Sequence, residues 1–199
     1  MYWDRISGVY DLFERIYNRK CYDGVGERVA KEIEKDDDVL ECACGTGSIS
    51  IWTAPKCKRL TATDFSKGML IRAEKNLSGA DNVRLRRANI FALKCRDGKY
   101  DKVIAGNVIH LLDEPYEAIN ELLRVCKKGG KVIIPTYING RKGGSKSIVV
   151  SVVNFCGANF KRWFTMQSYR EFFAAGGYDA EFDLVTGRMP CAIAVITKK

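Results

Sequence analysis

Apolar residues in the first part of the chain recur at helical spacing. Residues 3–19 carry an aromatic or aliphatic side chain every three or four positions, and Val25, Val29 and Ile33 continue the same period. Such a spacing places the apolar side chains along one side of an α-helix. We therefore predict two amphipathic helices within residues 1–35, the second beginning after a glycine.

Seven later runs are short and apolar, or alternate between apolar and polar residues, and we predict that they form β-strands. They are residues 39–42, 59–64, 83–86, 100–106 and 131–137, a run around Phe182, and residues 191–197. Between some of these runs, Ser66 and Thr165 are suited to cap a helix, and Pro115 is suited to its first turn. Residues 148–155 are mostly apolar, and their pattern fits a short helix and a strand equally well.

Strands that alternate with helices predict an α/β fold. We expect a doubly wound, mostly parallel seven-stranded sheet with helices on both faces and an antiparallel hairpin at the C-terminal end. No internal repeat, low-complexity tract or linker interrupts the sequence, so we predict a single domain over residues 1–199.

The length and composition of the chain fit a single globular domain. The chain has 199 residues, of which 46% are hydrophobic and 29% charged, a balance typical of one globular domain that needs no disulfides. No apolar run approaches the roughly 20 residues of a membrane span, and residues 1–5 do not resemble the start of a signal peptide. The eight cysteines include no Cys-x-x-Cys pair, so we expect reduced, mostly buried thiols, no metal site and a cytoplasmic location.

The net charge of +9 is concentrated in one part of the chain. Residues 127–170 contain nine lysines and arginines and no acid, whereas the other 24 basic residues match the 24 acidic ones. A local positive field attracts anionic partners. We consider an anionic substrate or a membrane surface, with nucleic acid ranked third because no nucleic-acid-binding module is present. Solvated loop lysines are the alternative interpretation.

The functional interpretation centres on the stretch Val39–Ser48. An apolar strand leads to Glu41, and the chain then turns through Gly45-Thr-Gly47 into a predicted helix. A glycine-rich loop between a strand and a helix is a common site for adenosine-containing ligands. Glycine allows the sharp turn and leaves no side chain where the ligand must approach.

Three ligand classes compete for this loop. A dinucleotide fingerprint requires a third glycine, but Ser50 occupies that position, and a phosphate-binding loop at residues 140–147 fails because Ser145 replaces its glycine. S-adenosylmethionine carries no pyrophosphate. Its cationic methionine end favours an acidic strand end such as the one formed by Glu41.

Residues 39–47, Val-Leu-Glu-Cys-Ala-Cys-Gly-Thr-Gly, resemble the first motif of class I S-adenosylmethionine-dependent methyltransferases. They depart from it at Ala43, where glycine is usual. Segments resembling strands two to five of that family follow in order up to residue 137, and residues 3–11 resemble the ubiquinone/menaquinone and phospholipid N-methyltransferase branch. The resemblance implies a Rossmann-like fold, with S-adenosyl-L-methionine as cofactor and S-adenosyl-L-homocysteine as its product.

The resemblance also implies which residues contact the cofactor. Asp64 ends strand two, where a carboxylate accepts hydrogen bonds from ribose hydroxyls, and Asn89 replaces the acid that usually accepts from the adenine amino group. Asn107 is expected to hold the methionine moiety through its backbone, and Tyr10 or Tyr17 of the N-terminal cap is expected to line the cofactor. The predicted cofactor-binding residues are Tyr10, Tyr17, Glu41, Cys42, Ala43, Gly45, Gly47, Asp64, Phe65, Met69, Asn89, Ile90 and Asn107.

The resemblance divides the predicted domain into four parts. They are an N-terminal helical cap (1–35), a cofactor-binding core (36–137), an acceptor-side insertion (138–164), and a closing helix and hairpin (165–199). We predict methyl transfer by in-line displacement to a small-molecule acceptor, for which anionic and lipid-like molecules are candidates. Alignment alone can supply roughly 7 kcal/mol of the acceleration, so a catalytic base is not obligatory.

His110, the only histidine, lies next to the expected transfer site and could accept a proton. A structural role is the alternative, as ordinary strand-end charges are for Glu41 and Asp64. Two other function classes stay open: a non-catalytic S-adenosylmethionine-binding or interaction module, and a dinucleotide-dependent oxidoreductase. The sequence names neither the acceptor nor the oligomeric state.

Overall fold

The computed structural model describes residues 18–139 and 161–199. The helix predicted over residues 3–19 and the ambiguous run 148–155 therefore fall almost wholly outside the described residues. Along the described chain the elements are α1 (Arg19–Ala30), β1 (Asp38–Cys42), α2 (Ser50–Thr53), β2 (Arg59–Asp64), α3 (Lys67–Asn76), β3 (Val83–Arg87), β4 (Tyr100–Ala105), α4 (Pro115–Val125), β5 (Cys126–Tyr137), α5 (Met166–Ala175), β6 (Ala180–Val185) and β7 (Cys191–Thr197), with 3₁₀ turns at Ala54–Lys56 and Ile109–Leu111.

The strands form one seven-stranded sheet in the order β3-β2-β1-β4-β5-β7-β6. Strands β1 to β5 are parallel to one another, whereas β7 is antiparallel to both β5 and β6. The predicted α/β fold, including its antiparallel C-terminal strands, is confirmed. Because β1, β2 and β4 are parallel, their carboxyl ends meet at one edge of the sheet, where ligands bind in open α/β sheets.

Two apolar cores cover the two faces of the sheet. On one face, α1, α2 and their neighbours pack on alternate residues of the strands, such as Leu60 and Ile104. On the other face, α4 and α5 pack on the intervening residues, such as Val103 and Val132. The alternation of side chains along a strand assigns each residue to one of these faces.

Helix α1 begins at Arg19, so the sequence-based start after Gly24 is wrong. Gly24 and Gly26 lie inside the helix because other elements approach it closely at these two positions. A Cβ atom at Gly26 would lie 2.1 Å from the ring of Trp52, and one at Gly24 would lie 2.8 Å from Val185. The glycines therefore permit packing of α1 on α2 and β6 and do not interrupt the helix.

Strand β5 begins at Cys126, five residues before its predicted start. Tyr100 pairs with Cys126 and Lys102 with Lys131, so β5 bulges between these two pairs. Gly129, inside the bulge, has a φ of 76°, which favours glycine. Gly129 and Gly130 thus lie in a bulge within a continuous strand.

The connection between β3 and β4, residues 88–99, contains no helix. Its Leu93 is buried in the same core as α4 and α5, and Ala88, Ile90 and Cys95 pack against that core. This connection therefore crosses the face of the sheet opposite to α3 as an irregular segment of turns and bends. Among the described helices, none is long and apolar enough to cross a bilayer.

Candidate cofactor site

A cavity of about 450 Å³ opens at the carboxyl ends of β1, β2 and β4. This volume lies within the range of small-molecule sites. The described residues that line it are Glu41, Cys42, Ala43, Cys44, Gly45, Thr46, Ser48, Ile49, Thr63, Asp64, Phe65, Ser66, Met69, Ala88, Asn89, Ile90, Phe91, Gly106, Asn107, Val108, Leu111 and Leu112. Ten predicted cofactor residues are among them; Gly47 is not, and Tyr10 and Tyr17 lie outside the described residues.

The loop after β1 turns through three residues in the left-handed region. The φ angles of Ala43, Gly45 and Gly47 are 53°, 55° and 87°. Gly47 does not line the cavity: a Cβ there would lie 3.1 Å from Leu77 of the α3 end, so this glycine shapes the entry to α2. Ala43, by contrast, lies in a conformation that costs a non-glycine residue roughly 1–2 kcal/mol.

Gly45 leaves space that a ligand can use. A Cβ atom at this glycine would meet no protein atom within 4 Å, although Gly45 lines the cavity. Its backbone N–H donates a hydrogen bond to Oδ2 of Asp64 at 2.9 Å. The other carboxylate oxygen of Asp64 accepts from the Ser66 N–H at 2.8 Å, which orients the side chain at the end of β2.

Glu41 is the buried carboxylate of the site, with 2% of its surface exposed. The Ser50 hydroxyl donates a hydrogen bond of 2.6 Å to Oε2 of Glu41. Burial raises the pKa of Glu41 to about 8, the hydrogen bond from Ser50 partly opposes this rise, and the charge of Asp64 adds to it. A cation beside this side chain would favour its ionised form.

The charges of the cavity have one sign. Among the described lining residues there are two carboxylates, Glu41 and Asp64, and no Lys, Arg or His. A pyrophosphate would therefore find the carboxylate of Asp64, the largely protonated carboxyl group of Glu41 and no described cation to hold it. A ligand with a ribose, an ammonium group and a sulfonium fits this donor set, and the side-chain-free surface of Gly45 allows its close approach. The residues present thus fit S-adenosylmethionine.

The outer part of the cavity is apolar and more open. Phe65 and Phe91, which are 49% and 38% exposed, line it together with Met69 and Ile90. Asn89 precedes Ile90 and Phe91 in sequence, and its Oδ1 accepts a hydrogen bond from the Phe91 N–H at 3.1 Å. An amide oxygen has two lone pairs, so one remains to accept from an adenine amino group.

Asn107 lines the cavity but also joins two strands. Its N–H donates to the Pro135 carbonyl at 2.8 Å, and its Oδ1 accepts from the Tyr137 N–H at 3.0 Å. Its φ is 52°, a conformation that asparagine tolerates better than most residues. The backbone N–H of Asn107 is therefore engaged by the protein. The expected contact with the methionine moiety stays a prediction, and it now concerns the backbone carbonyl of Asn107.

His110 lies in the 3₁₀ turn Ile109–Leu111 and is 3% exposed. It is not among the described residues lining the cavity. Burial lowers the pKa of His110 to about 3, which makes the imidazole a weak base. Its carbonyl accepts hydrogen bonds from the Lys161 and Arg162 N–H groups at 3.0 and 3.1 Å. The catalytic role of His110 therefore stays a prediction, and the described contacts are structural.

The structure adds lining residues that the sequence interpretation missed. Phe91 follows Asn89 by two positions, and an aromatic residue so close to a predicted adenine contact was the available signal. Leu111 and Leu112 had no such signal, because they belong to an irregular segment in which no period assigns a face. Cys44 lies inside the recognised loop, and its thiol pKa is raised by burial.

Comparisons with known proteins agree with this geometry. A family model described as a methyltransferase domain matches residues 40–134. A demethylmenaquinone methyltransferase of Clavibacter sepedonicus is 35% identical over 135 residues, which are 66% of this chain and 55% of the relative. A phosphatidylethanolamine N-methyltransferase of Cereibacter sphaeroides is 32% identical over 120 residues, 59% of either chain. The chain thus spans little more than half the length of these curated relatives.

Residues 40–134, a little under half of the chain, are thus similar to a methyltransferase domain. The predicted resemblance is confirmed, and S-adenosylmethionine is the cofactor that this family implies. The solved structure of an S-adenosylmethionine-dependent methyltransferase from Aquifex aeolicus has the same fold, with a TM-score of 0.68, 18% identity and 92% of both chains covered. The internal boundaries of the predicted domain, at residues 35, 137 and 164, stay predictions.

Proposed function

We propose that the protein transfers a methyl group from S-adenosylmethionine to a small lipid-like acceptor. The observation that carries this proposal is the pair of carboxylates, Glu41 and Asp64, in a glycine-lined cavity without a described cation. This donor set supports a cationic adenosine ligand and opposes a dinucleotide. When bound, S-adenosylmethionine supplies a methyl group on a sulfonium, which an oxygen, nitrogen, carbon or sulfur nucleophile can accept.

The side chains of this domain have distinct tasks in the proposal. Asp64, oriented by the Gly45 and Ser66 N–H groups, accepts hydrogen bonds from the ribose hydroxyls. Glu41 provides a negative charge for the ammonium group, and Asn89 accepts from the adenine. These groups are held by strand ends and by hydrogen bonds within the fold, so they orient the donor without rearrangement.

The acceptor class follows from the polarity of the cavity. Val108, Leu111 and Leu112 contribute apolar surface to it, and its described lining offers no positive charge to an anionic acceptor. The two similar curated proteins are named for demethylmenaquinone and phosphatidylethanolamine, both lipid-soluble molecules. These observations favour a lipid-like acceptor over a small anion.

Rate acceleration in this proposal comes mainly from alignment. The described lining contains no histidine or lysine that could serve as a base at neutral pH. Holding a nucleophile in line with the methyl group converts a bimolecular step into an intramolecular one, worth roughly 7 kcal/mol or more. An acceptor that ionises readily by itself suits such a site.

Calorimetric titration with S-adenosylhomocysteine tests the donor. The intact protein should bind it, and Gly45→Trp should abolish binding by filling the cavity. Gly129→Trp is the matched control, because Gly129 also has a positive φ with no atom within 4 Å of its Cβ position but lies in the β5 bulge. Absence of binding by the intact protein, or preferential binding of NAD, contradicts the proposal.

Methyl transfer is tested separately with labelled S-adenosylmethionine. Reduced quinones, phospholipids and water-soluble amines and phenols serve as acceptors in detergent micelles. Label is expected in the quinone or phospholipid fraction. Donor binding without transfer to any acceptor class would favour the alternative of a non-catalytic binding module.

A further inference from the structure

The basic residues of the chain fall into two groups that differ in what lies against them. In the segment 127–170, which carries the whole charge excess in the sequence, the described cations are mostly engaged. Lys127, Lys131 and Lys161 form ion pairs with Asp101, Glu32 and Asp113 at 2.6, 2.7 and 2.9 Å. Arg162 donates to two backbone carbonyls, and Arg170 lies over the Phe182 ring.

A second basic segment, residues 84–99, is exposed and much less neutralised. It contains six lysines and arginines and one acid, Asp97, which pairs with Arg124. No ion pair joins any of its cations to another described residue; Arg87 donates to the Phe65 carbonyl, and Lys99 lies over the Tyr100 ring. The four remaining cations are Arg84, Arg86, Lys94 and Arg96, all exposed.

These four cations share one side of the sheet. Along β3, Val83 and Leu85 pack on the core of α1 and α2, so Arg84 and Arg86 project from the opposite face. The β3–β4 connection crosses that same face, since its Leu93 is buried in the core of α4 and α5. Lys94 and Arg96 follow Leu93 in this connection. None of the described helices covers the sheet here, and the four cations are exposed to solvent.

The mouth of the cavity adjoins this charged side. Phe91 belongs to the same connection, lines the cavity and is 38% exposed. Phe65 lines it from the end of β2, with the Arg87 guanidinium 5.1 Å from its ring centre. Two exposed aromatic rings therefore lie at the opening of the cavity, next to cations that form no ion pair with a described acidic residue.

We propose that this surface, formed by Arg84, Arg86, Phe91, Lys94 and Arg96 with Arg87 and Phe65 at the cavity mouth, docks the protein on an anionic lipid bilayer. Lysines and arginines near an anionic leaflet each contribute attraction, and the aromatic rings insert at the headgroup level. The proposal rests on the proposed function, because a lipid-like acceptor would then reach the cavity from the membrane.

A bilayer explains both parts of the surface. An acidic protein would match the cations but not the exposed rings, and a nucleic acid would not explain why the rings border the apolar outer part of a cavity. Nor would they bring a lipid-like acceptor to that mouth. The charge and the apolar rim thus favour a membrane over the other polyanions.

Flotation with vesicles tests the proposal. The protein should bind vesicles of 30% phosphatidylglycerol in phosphatidylcholine at about 0.1 M salt and should not bind vesicles of pure phosphatidylcholine. Replacing Arg84, Arg86, Lys94 and Arg96 by Gln should lower the partition coefficient by at least about tenfold, because each cation contributes to the attraction. Phe91→Ala should make the remaining binding more sensitive to salt.

A charge-matched variant separates a specific surface from net charge. It replaces by Gln four exposed lysines elsewhere on the molecule: Lys20, Lys35, Lys56 and Lys128. This variant should bind anionic vesicles like the unmodified protein. Equal loss of vesicle binding in both variants, or absence of vesicle binding by the unmodified protein, overturns the proposal. It is also overturned if the unmodified protein binds single-stranded RNA more tightly than vesicles and only the variant at Arg84, Arg86, Lys94 and Arg96 loses that binding.

Binding of S-adenosylhomocysteine is measured on every variant. None of the four substituted cations lines the cavity, so the quadruple variant should bind it normally, which shows that it is folded. A protein that binds S-adenosylhomocysteine but no vesicles refutes the membrane inference alone. One that binds vesicles but no S-adenosylhomocysteine refutes the proposed function alone.

Discussion

The inner and outer halves of the cofactor cavity are built in opposite ways. The inner half, at the end of β1, buries Glu41 to 2% exposure and bends the backbone through Ala43 into the left-handed region. The outer half, at the ends of β2 and β3, leaves Phe65 49% exposed. The inner half is thus fixed by folding and carries strain, whereas the outer half leaves apolar surface that a ligand can cover.

The comparison implies that changes in the inner half alter stability as well as binding. Changes in the outer half should alter binding alone. Three substitutions test this division, in order of decreasing expected effect.

Glu41→Gln should have the largest effect, and it should depend on pH. Burial raises the pKa of Glu41 from 4.5 to about 8. Between these two pH values Glu41 is protonated in the folded protein but ionised in the unfolded chain. The free energy of unfolding therefore falls as the pH rises from about 5 to 8. Gln cannot ionise, so at pH 9 the variant should be more stable by on the order of 3 to 5 kcal/mol.

Urea unfolding at pH 5, 7 and 9 measures this effect. At pH 5 the variant and the unmodified protein should have similar stabilities, since Glu41 is then protonated. Glu27→Gln, on the exposed side of α1, is the control and should change stability little at any of these values. An equal stability difference at pH 5 and pH 9 would contradict the assigned ionisation of Glu41.

Asp64→Asn tests the outer half, since Asp64 ends β2. The side chain no longer offers two ionised oxygens to the ribose, and a hydrogen bond to a charged group contributes about 1.5–3 kcal/mol, so affinity for S-adenosylhomocysteine should fall about 10- to 100-fold. Calorimetry measures the loss. Asp81→Asn, which removes an exposed charge outside the cavity lining, should leave affinity unchanged.

Ala43→Gly should produce the smallest change, and it should be stabilising. Glycine relieves the left-handed strain at φ 53° but adds freedom to the unfolded chain, so the net gain should be about 0.5–1 kcal/mol. Thermal unfolding measures it. Ala92→Gly, where φ is not positive, should destabilise instead. A loss of stability in Ala43→Gly would show that the alanine methyl group contributes packing that outweighs the strain.

Some of this architecture could be predicted because its causes are local. Short segments contain the strand-to-loop transition at Glu41, the loop glycines and Asp64. The order of these segments along the chain was enough to predict the fold and the cofactor. Gly47 belongs to the same motif but does not line the cavity, and its positive φ lies at the turn into α2, so its cofactor contact stays a prediction. That distinction depends on Leu77, thirty residues later, which no local pattern reveals.

Long-range packing explains the other differences. Gly24 and Gly26 resemble helix breakers until Trp52 and Val185 are brought against them by the fold. Likewise, counting charges located the cationic excess in residues 127–170, but ion pairing is decided by tertiary neighbours. Lys131 meets Glu32 across about a hundred residues of sequence. The less prominent basic segment near Arg84, by contrast, forms no ion pair through its cations within residues 18–139 and 161–199.

The position of β7 between β5 and β6 has a consequence for synthesis of the protein on the ribosome. The apolar outer edge of β5, ending at Tyr137, is covered only after Cys191–Thr197 have been translated. At about 5–20 residues per second, the intervening fifty or so residues leave that edge open for roughly 3–10 seconds. During this interval the cofactor loops already have their strands, while β5 presents unpaired backbone groups. Nascent chains stalled before β7 should therefore aggregate most readily and be bound by ribosome-associated chaperones.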